Sequence, residues 1–425
     1  MLTVAYLANQ FPAAVEPYVG EEIRELRRRG VRVIPGSVRR PEVLPSLSSN
    51  ATVEWQSVCL QPVRLPTLMR ALGLAVRRWK RISGLVARVL LHGKESPKLR
   101  LKALLHTWLG AYYAVLLQER KVNHIHVHHG YFGSWIGMVA ARMLGISFSM
   151  TLHGSDLLVH GVYLDTKLSN CRFCITISEY NRRYILQHFP QIDRKTIILS
   201  RLGVDRVPAR TAHETARPKG RRFTLLTAGR LQTVKNHTFL VHACARLRHL
   251  GLDFECAIAG EGPQRQRLEW LIRESRLRDR FTLLGHVARH QMDSLYRNAD
   301  LFVLTSLSEG IPMVLMEAMA NGTVVLAPAI TGIPELVVPG ETGFLYEAAN
   351  LDDFVQSVLS VQVMMASRNS PLGEGLARIR HAARLRVSRD FNRQKNLSHF
   401  GDVFLQAIAP HDWSSSHEDP VLQQI

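Results

Sequence analysis

Cysteine is scarce in this chain: five thiols in 425 residues, at Cys59, Cys171, Cys174, Cys244 and Cys256. An odd, scattered set excludes a disulfide framework and reads as reduced, cytoplasmic thiols. Cys171-x-x-Cys174 has no second pair to complete a zinc site and reads as two thiols flanking a buried strand. Long apolar runs are also missing. None reaches the ~18 residues that span a bilayer, and no basic segment precedes the short Leu2–Ala8 run as it would in a secretory signal. The chain therefore reads as soluble or peripheral to a membrane. It has no internal repeat and no low-complexity tract. It also has no Asp-x-Asp pair of the kind that seats Mg²⁺ on a diphosphate.

Acid is scarce in one half only. Residues 1–210 carry 30 basic and 13 acidic side chains, a balance of +17, whereas residues 211–425 carry 24 and 22, a balance of +2. Such asymmetry points to an anionic partner for the first half. Hydrophobic residues make up 46% and charged residues 21%, which excludes a mostly disordered chain and leaves enough apolar material for two cores.

The first half alternates short apolar runs with helical patterns. Strands are expected at Leu2–Ala8, Val31–Val38, His124–His128, Ser147–Leu152, Cys171–Ile177 and Ile197–Leu199. Helices are expected from Pro17, around Ser134–Leu144 and from Glu179. Residues 206–222, with Pro208, Pro218 and Gly220, have the composition of a linker. The pattern then restarts, with strands at Phe223–Ala228, Phe254–Ala259, Phe281–Gly285, Leu301–Thr305 and Thr323–Ala327. This predicts an α/β protein of two doubly wound, Rossmann-like domains facing across a cleft. The expected division is a first domain 1–205 with an insert 61–121, a linker 206–222 and a second domain 223–383. Closing helices over 384–410 return to the first domain, and residues 411–425 form a loose tail.

The insert departs from the α/β rhythm. Leu65, Leu68, Met69, Leu72, Val76, Trp79, Ile82, Val86 and Val89 recur at helical spacing, with Arg70, Arg77, Arg81 and Arg88 on the other side of the wheel. From Arg64 to Lys102 there are eleven basic residues and one acid, Glu95. An apolar stripe beside a cationic face is the pattern of a helix lying on an anionic membrane. A helix packed on the domain core with a solvated basic face is the plainer alternative. No nucleic-acid-reading motif is present, and no nucleic-acid partner is expected.

The residues that carry chemistry lie mostly at the ends of expected strands. Gly229-Arg230 ends one strand and Lys235-Asn236 opens the next helix, the outline of a phosphate site. Gly260-Glu261-Gly262-Pro263 ends the following strand with glycines suited to a tight turn. The sharpest string is Glu309-Gly310-Ile311-Pro312-Met313-Val314-Leu315-Met316-Glu317. It places Glu309 in a loop, the free N–H groups of Met313 and Val314 at a helix start, and Glu317 just over one turn inside. His124, His126, His128 and His129 invite a metal, but no carboxylate or cysteine completes the set, and none is expected. Asp156 suits a helix cap as well as it suits catalysis.

In combination these motifs, with Gly332-Ile333-Pro334-Glu335, resemble glycosyltransferase family 4, retaining enzymes of the GT-B fold. Phe11-Pro12, Glu16, Tyr18-Val19, His126-x-His128 and Thr151-Leu152-His153-Gly154-Ser155-Asp156 resemble the bacterial exopolysaccharide and colanic-acid type. Three details differ from the family: Ala8-Asn9-Gln10-Phe11-Pro12 replaces its glycine-rich first loop, Thr323 stands where proline is common, and Asn236 replaces a common glycine. The resemblance implies transfer of a sugar from a nucleotide-diphospho-sugar to a lipid-linked or oligosaccharide acceptor at the inner face of the cytoplasmic membrane, without a cofactor or a metal. By the same resemblance Arg230 and Lys235 hold the diphosphate, Glu317 the ribose and Glu309 the donor sugar. Gly229, Gly260, Gly262, Gly310, Ile311, Met313 and Val314 surround the donor, and the base lies near His286. His153 serves catalysis from the first domain, and Phe11, Glu16, His128 and Asp156 lie on the acceptor side. A non-catalytic member of a polysaccharide assembly complex and a GT-B sugar-nucleotide epimerase are the rival readings.

Overall fold

The computed structural model describes residues 1–13, 16–40, 55, 57–93, 95–205, 220–367 and 370–409. It forms two compact units. One comprises Met1–Ile177, Asn181–Ser200 and the chain from Leu397 onward; the other comprises Ser178–Tyr180 and Arg201–Asn396.

The first unit holds seven strands: β1 (Thr3–Ala8), β2 (Arg32–Ser37), β3 (Val58–Cys59), β4 (His124–His128), β5 (Ser147–Leu152), β6 (Phe173–Thr176) and β7 (Ile197–Leu199). They pair in the order β3-β2-β1-β4-β5-β6-β7, every pair parallel. Parallel strands need helical crossovers on both faces, so the central strands are buried on both sides and read as unbroken apolar runs. β1 is buried at all its positions for this reason. The winding direction reverses between β1 and β4.

The second unit holds β8 (Phe223–Ala228), β9 (Phe254–Ala259), β10 (Phe281–Gly285), β11 (Leu301–Val303), β12 (Val324–Pro328) and β13 (Phe344–Tyr346). Their order, β10-β9-β8-β11-β12-β13, is again all parallel and reverses between β8 and β11. It is the Rossmann order, in which a ligand lies outside the carboxyl ends of the strands at the reversal.

Three boundaries differ from expectation. The first unit ends its main run at Ser200, not at residue 205. Residues 384–396 stay with the second unit, because one continuous helix, Pro371–Asp390, packs Ala383 and Val387 into that unit's core. Only from Leu397 does the chain join the first unit, where Phe400 and Phe404 pack with Phe173. The expected linker lies outside the described residues except for 220–222, and the expected tail lies wholly outside them.

The insert is three helices, Leu65–Arg77, Trp79–Leu90 and Pro97–Leu117. The apolar stripe read from the sequence divides between two fates. Ile82 and Val89 are buried, with Leu85 beside them. On the first helix the buried positions are Ala71 and Leu74, whereas Leu65, Met69, Leu72 and Val76 face outward. The small Ala71 lets this helix lie close to Pro97–Leu117, so the larger apolar side chains at i, i+4, i+7 and i+11 fall on the far side. The basic residues divide too. Arg81 donates to the Arg142 carbonyl, and Arg88 pairs with Glu95 and Asp165, so both serve packing within the unit.

Candidate functional site

The second unit gathers its polar groups at the β8/β11 reversal. β8 ends at Ala228, and the chain passes through Gly229 and the exposed Arg230 to Lys235. Asn236 adopts φ 52°, the left-handed region that glycine fills freely and asparagine tolerates better than most residues. The loop after β11 carries Glu309. Lys235 Nζ donates to Glu309 Oε1 at 2.5 Å, both side chains being mostly buried. An ammonium has three N–H donors and a carboxylate two oxygens, so each partner keeps capacity for a ligand.

The glycines here serve backbone proximity. The loop after β9 lies against the loop after β8: Gly229 N donates to the Ala259 carbonyl, Leu231 N to Glu261, and Gln264 N to Leu231. A Cβ on Gly260 would stand 1.9 Å from the Gly229 carbonyl oxygen, and one on Gly262 2.6 Å from that of Leu231. Gly332 is held as closely, with a Cβ there 2.4 Å from the Gly310 carbonyl oxygen. Thr331 Oγ1 adds a 2.5 Å bond to the Glu309 carbonyl. Gly260→Ala should therefore lower stability by about 1–3 kcal/mol, seen as a reduced urea midpoint. An unchanged midpoint would mean that the two loops separate easily.

The helix Met313–Ala320 opens behind Pro312, which offers no side-chain cap. Its first N–H groups therefore face outward with no partner inside the helix. Leu315, Met316 and Met319 are buried, while Met313, Val314 and Glu317 share the accessible face. Burial raises the Glu317 carboxyl above its ordinary range, opposed by the hydroxyl of Tyr296, which donates to its Oε2 at 2.8 Å. Ile311 is buried in the core, and only its backbone is available to a ligand. His286 is exposed at the end of edge strand β10.

Sequence reasoning missed three of these groups. Tyr296 reaches Glu317 from the separate helix Arg289–Asn298, and nothing near Glu317 in the chain announces it. Ser306 Oγ and Ser308 Oγ are buried without a hydrogen-bond partner in the loop that carries Glu309. A buried hydroxyl left unpaired costs about 1–3 kcal/mol, which a hydroxyl- or phosphate-bearing ligand recovers. Two serines flanking Leu307 beside that motif were the available signal.

The first unit has its own cluster at the β1/β4 reversal. His124 and His126 are settled by β5: their ring nitrogens meet Ser147, Ser149 and Thr151 hydroxyls at 2.6–3.0 Å. Burial holds His124 down to about 3. His128, the next rung, differs. Its Nδ1 lies 3.2 Å from the Tyr6 hydroxyl and 3.4 Å from Glu22, and its Nε2 lies 2.5 Å from His153 Nε2. Burial holds it down to about 3 as well. Glu22 is pushed up to about 8 by burial, against the hydrogen bond from Tyr6.

Asp156 is buried, and its role is positional. It accepts from the backbone N–H groups of His153, Gly154 and Gly130, tying the loop after β5 to the loop after β4. Burial works against the cation at His129, but Asp156 and Glu16 on either side outweigh it and push it up to about 10. Glu16 falls to about 2 because its hydrogen bond with His129 overrides the opposing effect of burial. Of the residues expected on the acceptor side, Phe11 is buried against Trp55, and His128 and Asp156 are buried as well. Glu16 and His153 keep partial exposure.

Two parallel sheets of these orders fit the GT-B fold, and solved structures agree. A sucrose-phosphate synthase from Thermosynechococcus elongatus superposes with a TM-score of 0.73 at 19% identity, covering 96% of this chain and all of that one. Anabaena HepE, solved in complex with UDP-glucose, superposes at 0.68 with 17% identity and the same coverage. Residues 209–368 match the family described as Glycosyl transferases group 1. It is 32% identical over 204 residues to a putative colanic acid biosynthesis glycosyltransferase, WcaL, of Salmonella typhimurium, covering 47% of this chain and 48% of that protein. The chain thus matches about half the length of that relative.

Proposed function

We propose that the protein transfers a sugar from a nucleoside-diphosphate sugar to a glycan acceptor, with retention of anomeric configuration. The observation that carries this reading is the convergence, at the carboxyl ends of β8 and β11, of Lys235, Glu309, an uncapped helix start and Glu317. A helix N-terminus and two cations suit a diphosphate. Arg230 and Lys235 hold it without a bridging Mg²⁺ and stabilise the charge that develops as the glycosidic bond breaks. Glu317, aligned by Tyr296, accepts from the ribose hydroxyls, and Glu309 from the sugar. HepE was solved with UDP-glucose, which favours a uridine donor. No carboxylate stands out as a nucleophile, so same-face displacement assisted by the leaving phosphate is the proposed route. Inverted products by NMR would overturn retention.

The site is tested by thermal stability against UDP, GDP, ADP and CDP. A nucleotide at ~100 times its dissociation constant should stabilise by about 2.7 kcal/mol. Glu317→Ala should weaken that nucleotide about tenfold or more, the worth of a hydrogen bond to a charged group. Equal shifts in the parent and the variant would remove Glu317 from the site. No shift with any nucleotide would favour a non-catalytic role in a polysaccharide assembly complex.

The acceptor is proposed to be a polyprenyl-diphosphate-linked oligosaccharide at the inner face of the cytoplasmic membrane, as for exopolysaccharide synthesis. The insert supports this. Of the twenty large hydrophobic side chains exposed among the described residues, eleven lie in residues 61–121. They stand among Arg64, Arg70, Arg77, Arg78 and Lys80, all exposed. No helix among the described residues is long and apolar enough to cross a membrane. An exposed apolar surface with a cationic surround suits the headgroup layer of an anionic bilayer.

A further inference from the structure

We propose that His128, His129 and His153 bind a divalent transition-metal ion, with Zn²⁺ the best fit, at the strand-order reversal of the first sheet. One ring nitrogen from each lies within 4.8 Å of the others. Along the chain the set looks incomplete, because His124 and His126 are its obvious partners and both are occupied by β5 hydroxyls. The fold supplies the third ligand from β5's far end, His153, which the sequence separates from His128 by 25 residues.

Four features of the cluster point to a cation. First, two imidazole Nε2 atoms face each other at 2.5 Å, so they cannot both carry a proton and at least one lone pair is directed into the space between the rings. Metal–nitrogen bonds of about 2.0–2.1 Å hold such atoms about 3.3 Å apart, which a small ring rotation supplies. Second, His128 and His129 have their Nδ1 atoms turned to polar partners: Tyr6 and Glu22 for His128, Asp156 at 3.6 Å for His129. This is how metal-bound histidines are oriented from behind, leaving Nε2 for the ion. Third, His129 Nε2 is buried with Glu16 Oε1 3.1 Å away, so a carboxylate already stands beside the cluster. Fourth, His129 holds φ 78°, a left-handed backbone that costs energy in a residue with a Cβ and recurs at ligand sites.

Nitrogen donors of this kind select zinc, copper, nickel or cobalt over magnesium or calcium. The carboxylates of Glu16 and Asp156, which favour a proton on His129 in the free protein, would balance a dication that displaces that proton, and Glu16 Oε1, 3.1 Å from His129 Nε2, offers an oxygen for a fourth position. Bound there, the ion would brace the ends of β4 and β5 and the segment from Glu16 into one rigid floor. This inference is tested apart from the donor-site reading, because its readouts are metal binding and not sugar transfer.

The test uses the full chain with any affinity tag removed, stripped with a chelator and titrated with Zn²⁺ and Co²⁺. One equivalent of Zn²⁺ should bind by calorimetry, and Co²⁺ should give the intense visible absorption of a four-coordinate ion. Both should weaken at least tenfold in His129→Asn, which suits the left-handed backbone, and in His153→Gln, which is only partly buried. Circular dichroism and thermal unfolding of the stripped variants confirm that they fold. Binding retained in both folded variants, the weak spectrum of six-coordinate Co²⁺, or no stoichiometric binding to the parent would each overturn the proposal.

Discussion

Replacing Lys235 with alanine should lower the turnover of sugar transfer by about 10²–10³, the usual effect of removing one charge aimed at a developing anion. The ammonium lies at the carboxyl end of the sheet, beside a helix start, on the loop after β8. Among the described residues its ion-pair partner is Glu309, at 2.5 Å. On the proposed reading the leaving diphosphate gains negative charge in the transition state, and Lys235 would stabilise that gain more than it stabilises the ground state. The loss should thus fall on kcat more than on KM, measured by nucleoside diphosphate release with acceptor present. Lys235→Ala also leaves Glu309 without its cation, so part of the loss passes through that carboxylate. A double-mutant cycle with Glu309→Gln separates the two contributions: strong non-additivity is expected from groups in contact. Turnover within threefold of the parent would exclude Lys235 from the reaction. A purely additive cycle would mean that the pair in the free protein has no part in the reacting complex.

How much of this was legible in the sequence depends on whether the information was local. Lys235, Glu309 and Glu317 stand in strand–loop–helix strings whose glycines, proline and helical spacing reveal their setting. The parallel winding was equally legible, because buried parallel strands such as Thr3–Ala8 and Phe254–Ala259 are apolar throughout and end at turn residues. What could not be read was contact between distant segments. Tyr296 meets Glu317 from another helix, and Glu16 meets His129 across more than a hundred residues. The four clustered histidines were legible as a group but not as individuals. On a strand His124, His126 and His128 share a face, yet only the hydroxyls of the neighbouring strand decide which are occupied. Phe11 shows the same limit: its place in a functional string put it on the acceptor side, and nothing near it in the chain announces that Trp55 packs on its ring. Helical periodicity likewise finds an apolar stripe but does not say which side of it is covered. At Leu65–Arg77 a narrow seam of Ala71 and Leu74 suffices for packing, and the broader stripe stays exposed.

That exposed stripe leads to the other large effect. Arg77→Glu, Arg78→Glu and Lys80→Glu together should abolish flotation with anionic liposomes. Each basic residue near an anionic surface is worth about 1 kcal/mol. Removing three lowers the partition by more than about a hundredfold, and adding three repulsive charges lowers it further. Arg81 is left intact because its guanidinium holds the Arg142 carbonyl, so its loss would confuse binding with folding. A second variant, with Leu65, Met69, Leu72 and Val76 changed to serine, removes apolar area that is already exposed and should leave the fold unharmed. The two variants ought to differ in their response to salt. Screening weakens the charge contribution over a Debye length of about 10 Å at 0.1 M, whereas insertion of leucine and methionine is insensitive to it. Protein with the serine set should therefore float at low salt and release as salt rises, while the parent keeps a salt-resistant fraction. If both variants float as the parent does, the bilayer is not the partner of this surface. If the charge variant fails but the serine set floats as the parent does at every salt concentration, the apolar stripe is covered by another protein rather than by lipid, and the insert docks within an assembly at the membrane.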